Sequence, residues 1–155
     1  MECPPTIELI ELTPLTFGEY QEFVEEGLST VVRKVRPDWG VPNIVSAVYA
    51  GNTNCVLVRR NGKNIGFVVY YKQPRPFSLK PDLFIWAAYA IPLKHRSRAD
   101  NVPEVVDVVW RYLAENAKTK FGTNVIRWMT SARRAKSFAK KYGWKPDFVS
   151  FGVSV

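Results

Sequence analysis

The sequence is poor in the residues that build covalent or metal-held frameworks. Among its 155 residues are two cysteines, Cys3 and Cys55, and one histidine, His95. Two cysteines make no disulfide framework, and a lone histidine leaves no His-rich metal site. No apolar run approaches the roughly 18 residues that a membrane span needs. The opening Met-Glu-Cys-Pro-Pro lacks a basic segment followed by an apolar one, so no signal peptide is expected. There is no P-loop and no dinucleotide-binding glycine fingerprint; the close pair Gly62 and Gly66 flanks a hairpin strand. No GxSxG elbow supports a serine nucleophile. Repeats, linkers and internal boundaries are lacking too. With 46% apolar and 23% charged residues, the composition is globular. The expectation is one soluble, cytoplasmic domain over residues 1–155 with no membrane association.

What the chain does have is positive charge, and in one place. The formal net charge is +8 and the isoelectric point about 9.6. Residues 94–145 hold 13 basic and four acidic side chains, whereas the remainder holds nine basic and ten acidic ones. Such a segment suits an anionic partner: nucleic acid, a phosphate-rich cofactor or an acidic protein. It suits equally a solvated basic face with no partner.

Apolar spacing sets out the elements. Ile7 to Leu12 reads as a first strand. Thr16, with Glu19 three residues later, forms a capping-box signal for a helix. That helix carries Phe17, Tyr20, Phe23, Val24, Leu28, Val31 and Val32 at helical spacing and ends at Pro37. Pro42 opens a shorter helix to about Tyr49. Cys55 to Arg60 and Ile65 to Tyr71 are strands around Asn61-Gly62, a dipeptide suited to the positive φ angles of a type I′ turn. Leu83 to Ile91 is a nearly continuous apolar run, as expected of a strand buried on both faces. After the polar loop Lys94 to Val102, Asn101 and Pro103 start a helix with Val105, Val106, Val109, Leu113 and Ala117 on its core side, ended by Gly122. Val125 to Thr130 is a strand, Ala132 to Tyr142 a basic helix stopped by Gly143, and Phe148 to Val155 a last strand. The order β-α-α-β-β-β-α-β-α-β predicts an α/β (α+β) fold: a mixed, mostly antiparallel central sheet with helices on both faces.

This order resembles that of the GNAT superfamily of N-acetyltransferases. Members often show N-x-x-A-x-x-(F/L)-Y-x-x-x-G-F from the end of the fifth strand through the following helix. The segment from Ala132 to Trp144 matches at Ala135, Phe138 and Gly143, with Trp144 as the closing aromatic. The resemblance implies a GNAT-like acyltransferase fold and transfer of an acetyl group from acetyl-CoA to an amine by direct attack. It also implies a small-molecule or protein amine as acceptor.

The chemical positions depart from the family pattern. Relatives bind the cofactor pyrophosphate with an (R/Q)-x-x-G-x-(G/A) loop before the central helix. Counted from Arg96, the two glycine positions hold Ala99 and Asn101; counted from Arg98, they hold Asn101 and Pro103. What remains is a cationic loop, Lys94, Arg96 and Arg98, at a helix N-terminus, where charge can replace a tight amide cradle. Its three readings are cofactor phosphate, another anion such as nucleic acid, or no ligand. The family tyrosine that protonates the leaving thiolate is Ala139 here, and Tyr142 lies one residue before Gly143. Ser131 offers either a hydroxyl towards CoA or a helix cap. No carboxylate lies within Leu83–Ile91, which leaves Tyr89 and His95 as the nearest titratable groups for a general base. Trp39, in a loop that borders the acceptor site of relatives, is a candidate substrate wall. The alternative function is a GNAT-fold protein without catalysis, a binding or structural component of a phage or mobile element that would be virion-associated.

Overall fold

The computed structural model describes residues 6–35, 40–75, 79–91, 103–128, 136 and 139–143. The elements run β1 (Ile7–Leu12), α1 (Phe17–Val35), α2 (Val41–Tyr49), β2 (Asn54–Arg60), β3 (Lys63–Gln73), β4 (Asp82–Ala90), α3 (Pro103–Thr119) and β5 (Ile126–Trp128). Residues 139–142 are helical, and Gly143 turns away at φ 72° with its N–H on the Ala139 carbonyl. The expected last strand, Phe148 to Val155, lies outside the described residues, as does Pro37 beyond the end of α1.

The strands form one sheet in the order β1-β2-β3-β4-β5. The first four pair antiparallel, and β4 pairs with β5 in parallel through Leu83↔Ile126 to Ile85↔Trp128. The sheet is thus mixed and mostly antiparallel, as the element order predicts. Asn61 and Gly62 take φ of 50° and 78°, so the β2–β3 hairpin closes through the turn that its sequence demands.

Alternation along the strands divides the core in two. On one face Cys55, Leu57, Phe67, Val69 and Ala87 pack under Phe17, Val24 and Leu28 of α1 and Ile44, Val45 and Val48 of α2. On the other, Val56, Val68, Tyr70, Leu83 and Ile85 pack under Leu113 and Ala117 of α3. Helices therefore cover both faces. Among the described residues no helix is long and apolar enough to cross a membrane.

Two local expectations need correction. The Thr16 hydroxyl does not cap α1 towards Glu19; it pairs with Thr13, accepting the Thr13 N–H at 2.9 Å. The Thr13-Pro14-Leu15-Thr16 turn closes on itself, and the Glu19 N–H uses the Thr16 backbone carbonyl instead. Val106 shares the core stripe of α3 yet is 41% exposed, because packing against the sheet begins only at Val109.

Candidate functional site

The sheet positions the site through an irregularity in β4. Val69 and Tyr70 are consecutive on β3, yet they face Ala87 and Ile85, so β4 carries one more residue, Trp86, across this step. A bulge of one residue inverts the side-chain phase beyond it. Leu83 and Ile85 accordingly face α3, whereas Ala87 and Tyr89 face α1. Without the bulge Tyr89 would lie on the α3 side. The apolar character of both faces of Leu83–Ile91 hides this switch in the sequence.

Tyr89 packs against Phe67 at 5.5 Å and Phe23 at 6.2 Å between ring centroids. Burial, and then the charge of Glu26 on α1, raise its phenol above the ordinary tyrosine value. It is a neutral hydroxyl at physiological pH. Glu26 is the ionisable neighbour that inspection of β4 alone misses; its signal is its place next to Gly27, where α1 touches the strand.

Tyr142 sits elsewhere. Its hydroxyl donates to Asp107 Oδ1 of α3 at 2.5 Å, and its ring stacks on Trp110 at 5.9 Å. Burial first, then that hydrogen bond, raise its pKa, while Asp107 is held below the usual carboxylate range by the same bond. The contact docks the helical residues 139–142 on α3. Tyr89 and Tyr142 therefore stand on opposite faces of the sheet and are not brought together. Ala139, at the family tyrosine position, is an exposed helical residue.

Trp39, Lys94, His95, Arg96, Arg98, Ala99, Asn101 and Ser131 lie outside the described residues. The described chain resumes with α3 at Pro103, two positions after Asn101, and the helix runs for 17 residues.

The start of β5 is held to the start of β4 by charge. Asp82, only 3% exposed, accepts hydrogen bonds from Arg75 Nε at 3.0 Å and from Arg127 Nε. Burial alone raises its pKa, but the two guanidinium groups together outweigh it and hold the carboxyl below its usual range. Nearby, a cleft of about 470 Å³ is lined by Trp110, Ala114, Lys118, Asn124, Ile126 and Tyr142. Its lining residue Ile126 pairs with Leu83 in the sheet. Tyr89 is six residues further along β4, about 20 Å at the rise of a strand. Cys55 is buried and its thiol is pushed up to about 12 by burial and then by Glu11, so it is no nucleophile.

No family model matches the sequence, and no curated protein does. Solved structures match in shape over almost the whole chain. A ribosomal-protein-alanine N-acetyltransferase from Brucella melitensis biovar Abortus 2308 superimposes with a TM-score of 0.66 at 13% identity, covering 97% of this chain and 99% of its own. A possible acetyltransferase from Clostridium difficile 630 gives 0.68 at 9% identity, with 96% and 97% covered. The aminoglycoside N-acetyltransferase AAC(6')-Iy, in complex with CoA, gives 0.65 at 13%, with 99% and 98% covered. The chain has the fold of the GNAT acetyltransferases.

Proposed function

We propose that the chain is an acetyl-CoA-dependent N-acetyltransferase. The reading is carried by the match in shape to acetyltransferases over nearly the whole chain. Backbone amides of β4 aimed at a thioester oxygen would stabilise the charge that develops there. An acceptor bound as ammonium would first give a proton to solvent; its nitrogen would then attack the carbonyl carbon, the C–S bond would break with the thiolate leaving, and a second proton would pass to solvent. Orientation supplies much of the barrier reduction in such a transfer, so it does not depend on a strong acid–base pair.

Lys94, Arg96 and Arg98, with the backbone of Ala99 and Asn101, would hold the cofactor pyrophosphate ahead of α3, and Ser131 would approach its pantetheine arm. Trp39 would wall the acceptor. A second reading, a binding or structural component without catalysis, is favoured by Ala139 at the family acid position. Thermal denaturation with added acetyl-CoA tests the first reading. A ligand at a hundred times its Kd stabilises the native state by about 2.7 kcal/mol, so the melting temperature should climb with concentration. An unchanged melting temperature at millimolar acetyl-CoA overturns it.

A further inference from the structure

The seam between α1 and β4 gathers the groups that an organic cation needs. The helix crosses the strand so closely that a Cβ on Gly27 would stand 2.6 Å from Tyr89 Cδ1 and 2.4 Å from Phe67 Cε1. Phe23, one turn earlier, meets both rings, 6.1 Å from Phe67 and 6.2 Å from Tyr89. Phe67 is buried, but Phe23 and Tyr89 are only half-buried, so part of each ring remains at the surface. Glu26, which is exposed, lies three residues after Phe23 and one before Gly27, a spacing that makes Phe23 and Glu26 neighbours on the helix surface. The effect of its charge on the Tyr89 phenol places the two groups within electrostatic reach.

The surroundings of the seam are anionic although the protein is basic. The first 32 residues hold seven glutamates and no lysine or arginine. Glu22 and Glu25 share the helix with Glu26, Gln21 hydrogen-bonds Glu25, and Arg33 follows two turns on. The titratable group of α2, Tyr49, is bound to Gln21. On β4 the group that faces the helix here is Tyr89.

We propose that Phe23, Glu26 and Tyr89 seat the cationic amine of the acceptor, the rings taking its alkyl body and the Glu26 carboxylate its ammonium group. The proposal rests on the acetyl-transfer reading and names its substrate class. Aromatic faces attract ammonium groups, and a carboxylate beside them adds an ion pair. Aliphatic amines, charged at neutral pH like lysine, satisfy both contacts; arylamines, neutral there, satisfy only the apolar one.

Steady-state acetyl transfer to spermidine and to p-anisidine tests it. Glu26→Gln should raise the KM for spermidine at least tenfold with kcat within threefold. It should leave the KM for acetyl-CoA and the kcat/KM for p-anisidine within twofold. Glu22→Gln, on the same helix but further from the rings, should change the spermidine KM less than threefold. Both substitutions are at exposed positions, and an unchanged melting temperature verifies the fold. A wild-type enzyme that acetylates spermidine and is indifferent to Glu26→Gln overturns the seat and leaves acetyl transfer standing, as does one that accepts p-anisidine but not spermidine. A wild-type protein that acetylates neither amine and shows no acetyl-CoA-dependent rise in melting temperature overturns the reading and the seat together.

Discussion

Tyr70 is fully buried yet has partners for its hydroxyl on two other elements. The phenol donates to both Glu11 oxygens at 2.9 Å and accepts from Asn116 Nδ2 at 3.0 Å, while Tyr112 donates to the same carboxylate. β1, β3 and α3 are thereby tied through one polar centre inside an apolar layer. Burial, and then the Glu11 charge, raise the Tyr70 pKa. A raised folded value means that the contribution is complete below the ordinary value near 10 and is lost as pH rises above it. Tyr70→Phe keeps the ring but strands the Asn116 amide, so urea denaturation at pH 7 should show a loss of about 1–3 kcal/mol. The melting temperature of the variant should also fall less steeply than that of the wild type above about pH 10, the ordinary tyrosine value.

Among the elements, α1 and β4 set the closest approach. Alanine at position 27 would gain up to about 1 kcal/mol of helix propensity in an ordinary exposed helix. Here its methyl group would meet the Phe67 and Tyr89 rings at under 3 Å, and overpacking of that kind costs about 1–3 kcal/mol. Gly27→Ala should therefore be net destabilising in thermal denaturation and should lower transfer to spermidine, because the helix must lift from the strand. Most elements were legible from spacing alone: β1 and α2 fall where alternation, Pro42 and Gly51 put them, and the Asn61-Gly62 hairpin follows from φ preference. The β4 bulge was not legible, because Leu83–Ile91 is apolar on both faces and a change of phase leaves no mark on such a run. Nor was the Arg75–Asp82–Arg127 contact, whose third member lies 45 positions beyond Asp82 and meets it only when β5 joins the sheet.

At the scale of the whole molecule, charge is divided between an acidic beginning and a basic segment from residue 94 to 145. The basic segment was legible in the sequence; the acidic seam at Glu26 acquires meaning only from the fold, which sets it against Tyr89. Changing Arg96 and Arg98 together to alanine asks what the basic loop is for. Charge-assisted contacts to a pyrophosphate are worth on the order of 1.5–3 kcal/mol each, so acetyl-CoA affinity measured by calorimetry should fall at least about a hundredfold. The melting temperature of the free protein should hold. If the segment serves a macromolecular polyanion instead, acetyl-CoA affinity will stay unchanged, and binding to nucleic acid will weaken steeply with salt.

The sheet order carries a consequence for how the chain reaches this shape. Among the described residues, β2, β3 and β4 follow one another through short connections and pair antiparallel. Little loop-closure entropy opposes them. The two outer pairs are different: Leu12 must find Cys55 across α1 and α2, and Leu83 must find Ile126 across α3, each 43 positions away. Contacts of such separation are slow to form. The Asp82 carboxylate, waiting at the start of β4, acts as a late clasp that closes on Arg127 once the crossover is complete. Assembly of the described sheet thus runs from the β2–β3–β4 meander to two long-range closures, one across α1 and α2 and one across α3.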